Sequence, residues 1–393
     1  MVTVPGGTLF PTIVVGSLPR PQWVRELIEE RTAGDISLAD ADELLDDAVP
    51  SVIRLQERAG LDFISDGEWR RSHYCRVFTE AVGGFVPGLV PTSGARIGER
   101  RAAPSGSYDP GVVARMEPGR PIATTEAAFL RDHTDSRIMV ALPSPYTLGR
   151  RMWSAEHSSA VYPTREGFME AIVPIIRREI EQLARLGVDA VQLDNPWPAI
   201  DVDPRLADST APPAADWASS QEEIAADLER EAELCARCIN GATEGIEGVF
   251  LNMHICHTRG HTSRASYDAI FGVLGRMNVH RYALEFATPD EGVTEVLADF
   301  PEDKILGLGV IHPFDTAVEP VEQVVGLVER ALRFVPKERI SLNSNCGFAP
   351  GAGSARPRAG GPKPRNTIVE LDDAYLKLRA MCQAAAVLRE RYG

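Results

Sequence analysis

Eight short apolar runs recur along this chain of 393 residues: Thr12–Ser17, Phe63–Gly67, Arg137–Leu142, Ala190–Asp194, Val249–Met253, Tyr282–Phe286, Ile305–Ile311 and Arg339–Asn343. Most are near-continuous Val/Ile/Leu segments rather than strict alternations, the pattern of parallel strands buried on both faces. Helix signals separate them. Pro21–Ala59 carries apolar residues at helical spacing, and Gly167–Gly187 reads as a helix closed by Gly. Ser219–Asn240 opens on a Ser cap followed by acidic residues, and Pro320–Phe334 reads as a further helix. Strand then helix, eight times over, predicts an α/β fold of the closed (β/α)8 type, a TIM barrel. A doubly wound open sheet is the alternative. The first turn, Val14–Arg20 (VVGSLPR), lacks the G-x-G-x-x-G fingerprint of dinucleotide-binding versions of that fold.

Length alone would allow two or three domains, but a barrel with insertions absorbs residues 1–393 as one. Two segments break the alternation. Ala81–Thr125, rich in Gly, Pro and Arg, reads as a hairpin or loop inserted between the second and third strands. Gly351–Asn366 follows the eighth strand and holds Arg356, Arg358, Lys363 and Arg365 without an acid. It reads as a solvated loop, or as a basic lid that recruits an anionic substrate to a barrel mouth.

Charge narrows the partners. Forty-one Lys and Arg against 56 Asp and Glu give a net charge of −15, the opposite of a nucleic-acid or polybasic membrane-surface footprint. No apolar run is long enough to span a bilayer, and the N-terminal stretch lacks the basic and apolar regions of a signal peptide. Six cysteines are too sparse for a disulfide framework; in a chain without an export signal they read as reduced thiols or metal ligands of a cytoplasmic protein.

The residues that carry chemistry gather at predicted strand ends. His254-x-Cys256, Glu285 and Cys346 end the fifth, sixth and eighth runs, and in a barrel those ends converge on one mouth. Imidazole, thiolate and carboxylate together suit zinc, which lowers the pKa of a coordinated thiol until it binds as thiolate. Spacing alone leaves a second reading open, because a buried Cys is usually a small hydrophobe. His257 and His261 read as loop residues beside the site, and Cys235-x-x-Cys238 as helix packing; Cys75 and Cys382 stand alone and read as packed. Gly16–Ser17, Asp66–Glu68 and Asp194–Pro196 end further strands. Such groups suit a zwitterion, with carboxylates for an ammonium and backbone N–H groups near Ser17 for a carboxylate.

From Thr12 to about Arg379 the chain resembles the cobalamin-independent methionine synthases. VVGSLPRP resembles that family's first-strand Gly-Ser segment, DGEWRR its second-strand G-E motif and AVQLDNPW its Q-x-D-E-P motif. NMHIC resembles the family's H-x-C zinc motif, LEFA the strand bearing the zinc Glu, and SLNSNCGF the N-P-D-C-G segment. The resemblance implies zinc held by His254, Cys256, Glu285 and Cys346, and an amino-acid thiol bound by Ser17, Glu68 and Asp194. It implies methyl transfer to homocysteine or a related small thiol from a methylfolate, a methyl-corrinoid protein or another donor.

This chain departs from the family pattern at several points. It reads as the catalytic barrel alone, without the additional N-terminal barrel of the long form. Asn195 replaces the Glu of Q-x-D-E-P, and Ser344–Asn345 replace Pro-Asp. The family's His after the seventh strand, which assists protonation of the leaving group, aligns with Phe314; His312 nearby is the candidate for that role. Two other functions stay in view: a zinc-dependent transferase using another electrophile, like the epoxyalkane:coenzyme M transferases, and a non-catalytic ligand-binding barrel. The sequence is compatible with a homo-oligomer.

Overall fold

The computed structural model describes residues 4–91, 108–195, 221–255, 264–287, 293–349 and 369–393. Its strands are β1 (Thr12–Ile13), β2 (Phe63–Ile64), β3 (Val82–Pro91), β4 (Tyr108–Pro118), β5 (Arg137–Pro143), β6 (Ala190–Asp194), β7 (Phe250–His254), β8 (Arg281–Glu285), β9 (Ile305–Ile311) and β10 (Ile340–Ser344). Eight of them form one parallel sheet in the order β1-β10-β9-β8-β7-β6-β5-β2. The two end strands meet again: Asp62 N–H donates to Thr12 O at 3.2 Å, and Thr12 returns bonds to the Asp62 carboxylate at 2.7 and 2.8 Å. The sheet is thereby curled into a nearly closed (β/α)8 barrel.

The helices are α1 (Gln22–Ala33), α2 (Leu38–Ala59), α3 (Arg76–Ala81), α4 (Thr124–His133), α5 (Pro145–Met152), α6 (Ala155–Ser158), α7 (Arg165–Arg185), α8 (Gln221–Thr243), α9 (Arg264–Leu274), α10 (Val321–Ala331) and α11 (Leu371–Tyr392). The periodic stretch Pro21–Ala59 is two helices. Gly34 ends α1 in the left-handed region at φ 85°, and the Ser37 side chain caps α2 by accepting from Asp40 N–H. The predicted Ser219 cap of α8 and the basic segment Gly351–Asn366 lie outside the described residues. Among the described residues no helix is long and apolar enough to cross a membrane.

The inserted segment between the second and third barrel strands is an antiparallel hairpin of β3 and β4. It is tied to the barrel's mouth side through Asp109, whose buried carboxylate accepts two bonds from Arg151 of α5, at 2.9 and 3.0 Å.

The first two barrel strands are much shorter than the runs predict. Beyond Ile13 the chain leaves the ladder: Leu18 N–H donates to Gly67 O at 3.0 Å, and Ser17 O accepts from Phe348 N–H at 2.8 Å. These bonds satisfy the backbone without regular pairing and carry Gly16–Ser17 across the mouth.

The core between strands is more polar than the usual Val/Ile/Leu layers of such barrels. Gln192, Asn252, Arg281, Ser341 and Asn343 are fully buried. The Arg281 guanidinium donates to Ser341 Oγ at 2.6 Å and to Asn343 Oδ1 at 2.5 Å. Burial pushes its pKa down to about 9. Gly307 of β9 makes room for it, since a Cβ there would fall 2.5 Å from Arg281 Nη2.

Candidate active site

Parallel strands align the predicted site residues in register. Asp194 of β6 pairs with His254 of β7, and Glu285 of β8 pairs with Gly309 of β9. All of these, with Cys346 just past β10, stand at the strands' C-terminal ends, where barrel enzymes place their chemistry.

His254 is the hub of one side. Its Nδ1 lies 3.5 Å from Asp194 Oδ1, and its Nε2 lies 3.2 Å from Asn345 O. Burial works against a charged ring, but hydrogen bonds with Asp194 and with the Cys346 sulfur outweigh it and push the pKa up to about 10. Asp194 is itself oriented by Gln192, whose Nε2 donates to its Oδ1 at 2.9 Å and also to Val15 O. Glu285 is buried at the end of β8, and its backbone carbonyl accepts the Tyr267 hydroxyl.

Imidazole, carboxylate and thiol thus converge, a donor set whose chemistry fits zinc. Among the described residues no three His, Cys, Asp or Glu side chains are drawn tightly enough to hold a metal by themselves. Cys256, the fourth predicted ligand, lies outside the described residues, as do His257 and His261.

Asn345 joins the donor-bearing strands. Its Oδ1 accepts from Phe286 N–H at 3.0 Å and Ala287 N–H at 2.9 Å, just past Glu285. Its backbone N–H donates to Ile311 O at 2.9 Å. Asn345 therefore fixes the residue before Cys346 against the ends of β8 and β9. In the sequence it registers only as a departure from a motif, because a side chain that accepts backbone N–H groups leaves no periodic signal.

The other side of the mouth is built from β1 and β2. Ser17 Oγ accepts from Ala349 N–H at 3.2 Å, and a Cβ on Gly347 would fall 2.3 Å from that hydroxyl, so Ser17 is seated directly on the loop that carries Cys346. Glu68 holds a left-handed backbone at φ 57°, a conformation that bulky residues adopt at a cost and that clusters at functional sites. A side chain on Gly16 would strike Glu68 Oε1 at 2.4 Å. Burial pushes the Glu68 pKa up to about 8; Arg71 opposes the shift and Asp194 adds to it. Glu68 Oε2 is buried without a partner among the described residues.

Two wholly buried arginines frame it. Arg20 donates to the carbonyls of Glu68, Arg71 and Ala349, the last two at 3.1 and 3.0 Å. Arg71 holds Glu126 through two bonds of 2.8 and 3.0 Å, reaches Ala141 O at 2.8 Å, and lies 3.8 Å from Glu68 Oε1. Sequence reasoning missed both arginines and Gln192. The same-face spacing of Gln192 and Asp194 on one strand was the available clue.

His312 follows β9 and is half-buried. Its Nδ1 accepts from Phe314 N–H at 3.3 Å, and burial lowers its pKa, with Lys377 adding to the shift. Asn195 turns away from the mouth: its Oδ1 accepts from Ser144 Oγ at 2.6 Å and its Nδ2 lies 3.3 Å from Cys235 Sγ. Cys235 and Cys238 are buried in α8, where burial raises both thiol pKa values, as expected of packed rather than reactive cysteines.

Fold and mouth together define a (β/α)8-barrel enzyme in which a mixed nitrogen, oxygen and sulfur donor set faces a charged cradle. The chain belongs to the cobalamin-independent synthase catalytic-domain family, whose model matches residues 10–355. It is 27% identical over 342 residues to the methionine synthase of Pyrococcus horikoshii, covering 86% of each chain. It is 26% identical over 385 residues to that of Saccharolobus solfataricus, covering 97% of this chain and 96% of the relative. A B12-independent methionine synthase from Shewanella sp. W3-18-1, in complex with selenomethionine, shares the fold at a TM-score of 0.72 and 23% identity, over 98% of this chain and 99% of that one.

Proposed function

We propose that this chain, acting as one catalytic domain in the cytoplasm, transfers a methyl group to the sulfur of homocysteine or a related small thiol. The observation that carries the reading is the convergence of His254, Glu285 and Cys346 with Ser17, Glu68 and Asp194 at one barrel end, in a member of this family. Zinc would be held by His254, Cys256, Glu285 and Cys346, and when bound it supplies the acidity that turns a substrate thiol into a thiolate.

The chain's own residues do the rest. The buried Glu68 carboxyl, with an oxygen to spare, takes the substrate ammonium, and an ammonium beside it would bring its pKa down. Asp194 orients the His254 ring, and Ser17 places the substrate against the Cys346 loop. The sulfur attacks the methyl carbon in line. A sulfur–carbon bond forms as the donor's bond to methyl breaks, and the leaving atom keeps that electron pair. With Nδ1 accepting from Phe314, His312 keeps its proton on Nε2 and offers it as a hydrogen bond to the leaving group. Positioning and thiol deprotonation supply most of the rate.

Methylfolate and a methyl-corrinoid protein are the donors to test first. Asn195, where the family motif has Glu, is committed to Ser144 and Cys235 and offers no carboxylate to the mouth, which keeps a second reading in view, in which the thiol opens another electrophile such as an epoxide.

Two measurements test the proposal. Elemental analysis of protein purified without added metal should give about one zinc per chain, as a single four-ligand site requires. Product assays with homocysteine should show the methylated thiol from one of these donors. Thiol consumption with an epoxide, but with no methyl donor, would replace the proposal by the second reading. Absence of zinc that reconstitution does not restore would sink both.

A further inference from the structure

The loop after β9 that bears His312 is fastened from outside the barrel wall. Lys377, on the C-terminal helix α11, is fully buried and lies beyond the residues that the family model matches. Its Nζ donates to Glu319 Oε1 at 3.0 Å, to Glu319 Oε2 at 2.9 Å, and to Ala317 O. An ammonium has three N–H donors, and here each has an acceptor. The Glu319 carboxylate in turn accepts the His312 backbone N–H at 2.7 Å. Inside this closed loop the Phe314 N–H donates to His312 Nδ1, and the two rings meet edge to face at 5.8 Å. One buried cation therefore holds both ends of the segment 312–319, and the inner bond leaves only Nε2 to carry the imidazole proton.

We infer that Glu319 and Lys377 are positioning residues that set the place and the proton-bearing nitrogen of His312. The inference rests on the catalytic reading of His312 given above. A buried ion pair is costly to desolvate, and its best-attested use is to specify one arrangement among several. Here the arrangement specified is that of a loop at the mouth. A purely apolar contact between α11 and this loop would bury as much surface without orienting the His312 amide.

The test uses the full chain, with selectively 15N-histidine-labelled protein and, in parallel, initial rates with homocysteine and methylfolate. Lys377→Met alone strands a buried carboxylate, so the informative variant is Glu319→Leu combined with Lys377→Met, which removes both charges together with the acceptor of the His312 N–H. The His312 resonances, assigned by their loss in His312→Asn, should show a neutral ring protonated on Nε2 in the unaltered protein. In the double variant that pattern should give way to a mixture of tautomers or to exchange broadening. In the same variant kcat should fall about tenfold or more, as small misplacements of catalytic groups do, with the KM for homocysteine nearly unchanged. Adding His312→Ala to the double variant should cost little further.

An unchanged His312 spectrum in a folded double variant would overturn the inference. So would a kcat loss in His312→Ala that the double variant does not share. If His312→Ala itself leaves kcat intact, the catalytic reading fails instead, while the spectrum still decides whether the pair sets the ring.

Discussion

The two sides of the barrel mouth are built on different plans. On the β1–β2 side, Arg20 and Arg71 are charged groups taken out of water and locked by bonds to backbone carbonyls and to Glu126, and they frame the buried Glu68 carboxyl. On the β7–β10 side, His254 is held by its neighbours' polar groups: an Asp194 oxygen, the Asn345 carbonyl and the Cys346 sulfur. The first side is a fixed electrostatic mould. The second is a set of contacts to one imidazole, of which those to the Asp194 oxygen and the Cys346 sulfur can give way to a ligand without leaving a backbone group unsatisfied. The proposed function would use both, the first to hold a zwitterionic substrate and the second to hold the metal.

The largest expected effect lies on the exchangeable side. Cys346→Ser should lose zinc by at least the roughly 100-fold that removing even an outer-shell partner costs. It should lose activity with it, whereas Cys235→Ser, altered in the packed helix, should keep both. Metal content of the two purified variants checks this, and equal retention would erase the proposed distinction between the sides.

Asn345→Ala should come next. It strands the buried Ala287 N–H past Glu285, while the Phe286 N–H keeps Gly309 O at 3.2 Å; at the usual cost of about 1–3 kcal/mol this should lower the melting temperature by a few degrees. Asn345→Asp, which keeps the acceptor, should recover most of the loss. If alanine is as stable as asparagine, the donor-bearing strands are not tied through this residue.

The mould should respond to pH. In the folded protein the Glu68 carboxyl, its pKa raised by burial to about 8, stays protonated well above the ordinary value of 4.5 at which it ionises when unfolded. Its contribution to stability is full below 4.5 and is lost as the pH rises through about 8. Glu68→Gln stays neutral, so its melting temperature should gain on the unaltered protein across that window, while its KM for homocysteine rises about tenfold for want of a charge-assisted bond. A melting difference that does not change with pH would mean that Glu68 is already ionised in the fold.

The smallest effect should come from Asn195→Ala. Its side chain faces Ser144 and Cys235, so the expected cost is about 1 kcal/mol of stability with kcat unchanged. A large kcat loss would place Asn195 among the substrate contacts after all.

Much of this was legible in the sequence for a plain reason. Parallel strands buried on both faces are continuous apolar words, so seven crossovers and a hairpin insertion could be read from composition and spacing, and His254, Glu285 and Cys346 fell where such words end. What escaped reading was of two kinds. Arg281, Arg20 and Arg71 belong to a residue type that is almost always exposed, and nothing local marks an arginine as buried. The Asn345 and Lys377 side chains bond to groups 58 or more positions away along the chain, beyond the reach of any local pattern. The shortness of β1 and β2 escaped for a related reason, since Val14–Ser17 is apolar enough for a strand but finds its partners in loops.

The gap that Gly307 leaves for Arg281 has a consequence for how such a barrel changes over generations. Alanine at 307 alone would drive a methyl group into the guanidinium and against Asn343 Oδ1, and a shorter residue at 281 alone would open a void and take from Asn343 Oδ1 its guanidinium donor. The two positions form a lock whose halves are each deleterious to replace, so change here is favoured as a compensated pair of substitutions. Alanine at 307 together with a small residue at 281 should therefore be better tolerated than the sum of the single changes predicts.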